Sequence, residues 1–80
     1  MTFTKWLDTF VSEKNIDTET VIEAEGASGV NYIPLEIILD AIKSTSAQEQ
    51  AGIKSMIVKI DFLNGNVVDY FKHLARAIAI

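Results

Sequence analysis

Four times along this chain, apolar residues recur at the three- and four-residue steps of an α-helix, and that repetition restricts the fold more than any other feature. Phe3, Leu7, Phe10 and Val11 form the first stripe, with Trp6 beside it and Lys5, Asp8, Thr9, Ser12 and Glu13 turned away. Thr2 is placed to cap this helix, over residues 3 to 14, and Asn15 to end it. Leu35, Ile38, Leu39 and Ile42 form the second stripe, widened by Ile37 and Ala41, and Pro34 suits its first helical position because the missing amide hydrogen costs nothing there. So broad an apolar surface predicts a central helix touching more than one neighbour. Ile53, Met56, Ile57, Ile60 and Leu63 make the third stripe, with Val58 and Phe62 as a second flank, which predicts a helix enclosed on two sides. Ser46 and Glu49 have the spacing of a capping box at its start. The fourth stripe is Val67, Phe71, Leu74, Ala75 and Ile78, with Lys72, His73 and Arg76 near the end where the helix dipole favours positive charge.

Between the first two stripes the period changes from helical to two. Ile22 and Ala24 alternate with Val21, Glu23 and Glu25, the run breaks at Gly26-Ala27-Ser28-Gly29, and Val30, Asn31, Tyr32 and Ile33 follow. This predicts a short hairpin, which must lie against the helices because two strands alone are barely stable in water. At Asn64-Gly65-Asn66, Gly65 can end the third helix and Asn66 can cap the fourth, with Asp69 three residues on. The competing reading is an Asn-Gly turn between strands over 56–62 and 67–71; the helical spacing favours helices. The expectation is an α+β fold, predominantly helical, with four helices and a small two-stranded hairpin between helix 1 and helix 2, in a single compact domain over residues 1–80.

The chain contains no cysteine, so thiolate nucleophiles, disulfides and Cys-based zinc sites are excluded. His73 is the single histidine, one turn from Asp69 on the expected fourth helix, and a surface His–Asp contact is the simplest role for it. Glu23 and Glu25 point to one side of the first strand, but carboxylates on a solvated face have no reason to separate their pKa values for acid and base work. Gly26 and Gly29 lack the Gly-Lys-Ser/Thr of a phosphate-binding loop, and serines 28, 44, 46 and 55 have no histidine and acid arranged with them. The expectation is a protein without catalytic residues, metal or cofactor. The net charge of −4 argues against a nucleic-acid partner, since phosphate binders depend on clustered Lys and Arg. No run approaches the roughly 18 apolar residues of a membrane span, and the N-terminal residues lack the layout of a signal peptide.

What remains is binding to another protein. Asp17, Glu19, Glu23 and Glu25 form the strongest charge asymmetry in the chain and are candidates for an acidic contact patch. Trp6 and Tyr70 flank core stripes and are candidates for aromatic contacts. Ala75, Ala77, Ile78, Ala79 and Ile80 leave an apolar C-terminal turn that either packs into the core or meets another chain, an identical copy included, which makes Ile78 and Ile80 candidates for a self-association contact.

Trp6-Leu7, Glu13-Lys14-x-Ile16-Asp17, Glu23-x-Glu25-Gly26-x-Ser28-Gly29, Ile33-Pro34-Leu35, Lys59-Ile60-Asp61-Phe62-x-Asn64-Gly65 and Phe71-x-His73-Leu74-Ala75 together resemble small uncharacterised proteins encoded by phages and other mobile elements of bacteria. The resemblance spans nearly the whole chain and assigns no activity and no residue roles. It implies a protein of the bacterial host cell that binds a host or antiviral defence protein stoichiometrically, as an inhibitor. The alternative, for which the apolar C-terminal turn is the motive, is a homo-oligomeric accessory subunit, and the missing cysteines and signal layout make the cytoplasm the expected location.

Overall fold

The computed structural model describes residues 1–78, in the order α1 (Phe3–Glu13), β1 (Val21–Gly26), β2 (Gly29–Pro34), α2 (Leu35–Lys43), α3 (Ala47–Phe62) and α4 (Val67–Ile78). Among the described residues the fold is α+β and predominantly helical, with an antiparallel two-stranded hairpin between the first two helices. The Asn-Gly segment joins two helices and not two strands.

Local chemistry accounts for most helix ends. Thr2 Oγ1 accepts the Lys5 amide at 3.1 Å and starts α1. At its other end Asn15 turns left-handed at φ 53, the Asn15 amide donates to the Ser12 carbonyl at 3.2 Å, and the Ile16 amide donates to the Val11 carbonyl at 3.1 Å. These two bonds satisfy carbonyls that the last helical turn leaves free. The end of α3 repeats the device: Asn64 sits at φ 57 with its amide on Asp61 O at 3.0 Å, and the Gly65 amide reaches Ile60 O at 2.8 Å. The left-handed residue is therefore Asn64, where Gly65 was expected. Gly65 follows because space is short: a Cβ there would lie 2.8 Å from Ile60 Cγ2. Asn66 then opens α4, its Oδ1 accepting the Val68 amide at 3.0 Å.

The start of α2 differs from the expectation. Pro34 is not the first helical residue; it ends β2 opposite Val21 and caps α2 with extended ψ 140, held there by the ladder. The free amides of Leu35 and Glu36 donate to the Thr20 and Thr18 carbonyls at 2.8 and 3.0 Å, so the loop before β1 caps α2 through its backbone. At the α2–α3 corner, Gln50 Nε2 donates to Lys43 O and Thr45 O at 3.0 and 3.1 Å, and Ser46 Oγ accepts the Glu49 amide at 3.2 Å.

The core is built from Leu7, Phe10 and Val11 of α1, Ile22 and Ala24 of β1, Leu35, Ile38, Leu39 and Ile42 of α2, Ile57 of α3, and Val67, Phe71 and Ala75 of α4. The central element is α4, packed against β1, α2 and α3, whereas α2 was expected in that place. α2 packs against α4 and β2, and Ile37, expected to widen its stripe inward, is 47% exposed. α3 is also corrected. It packs against α1 and α4 along the Ile53, Ile57 and Ile60 face, while Met56, Val58, Phe62 and Leu63 stand in solvent at 42, 50, 83 and 65% exposure. The helix is covered on one side, because one 80-residue core has too little surface to enclose it twice. Lys14–Asp61 at 3.0 Å and Lys43–Asp8 at 2.6 Å link α1 to α3 and α2 across the surface.

Candidate interaction surface

The alternation in β1 decides what the hairpin shows to solvent. Ile22 and Ala24 are drawn into the core, so Val21, Glu23 and Glu25 face outward. The register sets Glu23 opposite Tyr32, Glu25 opposite Val30 and Val21 opposite Pro34. The outer face therefore carries Val21, Val30 and Tyr32, 56, 53 and 66% exposed, interleaved with two carboxylates.

α4 runs beside this face because its own apolar stripe packs on β1. Lys72 joins Val21, Glu23 and Tyr32 around one shallow depression, and Arg76 joins Glu23, Ala24, Glu25 and Val30 around a second of about 200 Å³. The spacing follows from geometry. Two residues along a strand advance about 6.6 Å and four along a helix about 6 Å, so Glu23 and Glu25 keep step with Lys72 and Arg76. The Lys72 ammonium also lies 3.8 Å from Asp69, the carboxylate that had been expected to face His73. The result is a strip of alternating charge flanking exposed apolar side chains, where the sequence had suggested a purely acidic patch.

The other candidates go elsewhere. Asp17 makes a turn, its Oδ1 accepting the Glu19 amide at 2.9 Å while its carbonyl accepts the Thr20 amide at 3.3 Å; Glu19 is exposed on that turn. Trp6 is half-buried in a ladder along α1, 6.0 Å from Phe3 and 5.7 Å from Phe10 between ring centroids, with Lys54 Nζ of α3 5.1 Å from its own ring centroid. Tyr70 is half-buried on α4 with its ring 6.4 Å from Phe71, and burial pushes its phenol above the ordinary 10.0. Ile78 closes α4, but its side chain and Ile80 lie outside the described residues. The structure thus brings Glu23 and Glu25 onto one face, while Trp6 lies on α1 under Lys54 of α3 and Tyr70 lies on α4 beside Phe71.

Two groups of side chains are exposed that the sequence reading did not place in solvent, Val58 and Phe62 having been read as an enclosed flank. Tyr32 and Val30 could have been found from the period of two, since an inward Ile33 turns Tyr32 outward. Val58 and Phe62 carried a weaker signal, a second seam at three- and four-residue steps with Ala51 and Ser55 that competes with the buried one. No described helix is long and apolar enough to cross a membrane. Comparison with protein-family models, with curated proteins and with solved structures gives no match.

Proposed function

We propose that this protein is a small non-catalytic interaction module that binds another protein through the outer face of its hairpin. The observation carrying the reading is the set of exposed Val21, Val30 and Tyr32 between Glu23 and Glu25, edged by Lys72 and Arg76. An apolar and aromatic centre with a charged rim suits protein recognition: the ring and the two valines supply desolvated contact, and the rim sets orientation. The concrete form we favour is a phage or mobile-element protein that occupies a bacterial host or antiviral defence protein stoichiometrically, in keeping with the resemblance in its sequence.

The test is affinity capture from bacterial lysate with the native chain and with Tyr32→Ala, whose exposed side chain can be removed without opening the core. The native chain is expected to retain a protein that the variant loses. Identical capture by both, with unchanged circular dichroism, would sink the reading.

A second reading, a self-associating accessory subunit, is favoured by a separate observation, the uncovered outer face of α3. It no longer depends on the C-terminal isoleucines.

A further inference from the structure

We propose that the outer face of α3 pairs with the same face of a second copy of this chain, the two helices running antiparallel about a two-fold axis. The proposal rests on the self-association reading and is independent of the hairpin reading.

Ala51, Ser55, Val58 and Phe62 are all exposed and recur at alternating four- and three-residue steps, the spacing of a coiled-coil seam. Ile53, Ile57 and Ile60 occupy the opposite side and hold the helix to its own core. α3 therefore has one apolar face for its own core and another that the described residues leave uncovered.

The outer seam is graded in size, small in its N-terminal half and large in its C-terminal half. A parallel partner would set Phe62 against Phe62 and Ala51 against Ala51, crowded at one end and empty at the other. An antiparallel partner sets Phe62 against Ala51 and Val58 against Ser55, so that every large side chain meets a small one. That arrangement is isologous and closes at two copies.

Charge selects the same direction. Lys54 and Asp61, one heptad apart, lie on the seam's α1 side, where Lys54 covers Trp6 and Asp61 pairs with Lys14. Antiparallel pairing puts Lys54 of each copy opposite Asp61 of the other, and parallel pairing opposes like charges. On the other flank Lys59 comes opposite Gly52, where a Cβ would find nothing within 4 Å and a long side chain has room. α3 is 16 residues long; a contact confined to one face over about 24 Å is smaller than a standard interface and calls for a dimer of micromolar rather than nanomolar affinity.

Sedimentation equilibrium between about 10 and 500 µM is expected to show the mass rising toward that of a dimer. Phe62→Glu is expected to weaken association at least tenfold (~1.4 kcal/mol) with unchanged circular dichroism. Val58→Lys, at a position 50% exposed, carries the same expectation should the first variant fail to fold. Because the chain has no cysteine, direction can be read by disulfide trapping. Two copies of Ala51 in the antiparallel pair are offset by about 16 Å along the axis, beyond the ~7 Å a disulfide can bridge. Ala51→Cys alone should therefore not cross-link, and a mixture of Ala51→Cys and Phe62→Cys chains should. A monomer throughout would overturn both this proposal and the self-association reading. A dimer indifferent to Phe62→Glu and Val58→Lys, or one trapped by Ala51→Cys alone, would overturn the proposal and leave that reading standing.

Discussion

Gly29 and Gly65 each reject a side chain, for different reasons. Gly29 turns the hairpin at φ 116 with open space around it, so Gly29→Ala meets backbone strain alone and should cost about 1–2 kcal/mol. Gly65 has no such φ but lies against Ile60 Cγ2 and the Ile60 carbonyl, so Gly65→Ala must displace the α3 terminus and should cost about 1–3 kcal/mol. Adding Ile60→Leu, which removes the Cγ2 branch, to each in urea melts separates the causes: partial relief is expected for Gly65→Ala, whose contact with the Ile60 carbonyl remains, and none for Gly29→Ala. Tyr70 adds a pH-dependent contribution on the alkaline side. Its folded-state pKa is raised above 10.0 by burial, so the stability carried by the neutral phenol is fully present below pH 10.0 and is lost as pH rises through the raised value. Tyr70→Phe should remove that loss, seen as a smaller fall in urea midpoint between about pH 9 and pH 11.

At the scale of elements, caps were legible because they are local. Thr2, Asn15, Ser46 and Asn66 each act within a few residues of themselves, and each does what its position in the sequence predicts. The start of α2 was not legible, because its amides are met by carbonyls of Thr18 and Thr20, brought there only once the hairpin has paired. The α2–α3 corner has the same character on a shorter path, with Gln50 satisfying two carbonyls of the preceding helix and loop. Gln50→Ala is expected to destabilise by about 1 kcal/mol. Hydrogen exchange should quicken at Ser44 and Thr45, whose amides close the last turn on Ala41 and Ile42, before it quickens in β1. Equal acceleration across the chain would show that the corner opens only with the whole fold.

For the molecule as a whole, Phe71 and Phe62 look alike in sequence and differ completely in consequence. Phe71 is fully buried in the element that touches β1, α2 and α3, and Phe71→Ala should cost about 3–5 kcal/mol, a large share of the roughly 5–15 kcal/mol that holds a typical domain folded. Phe62→Ala, at 83% exposure, should leave the thermal midpoint of the monomer nearly unchanged. Calorimetry of the two variants in dilute solution checks the contrast. The hairpin surface was half legible in the same sense: the period of two placed Glu23 and Glu25 outside, but nothing in their neighbourhood of the sequence points to Lys72 and Arg76, which arrive only because α4 packs beside β1.

The number, type and order of the elements could be read along the chain, because helix and strand periods, caps and turn residues act over a few positions and need no partner. The tertiary structure alone decided which apolar face of each helix is the inner one. α3 carries two such faces, and a periodic stripe records that a face is apolar without recording what covers it; only the packing of α1 and α4 onto Ile53, Ile57 and Ile60 left Val58 and Phe62 in water.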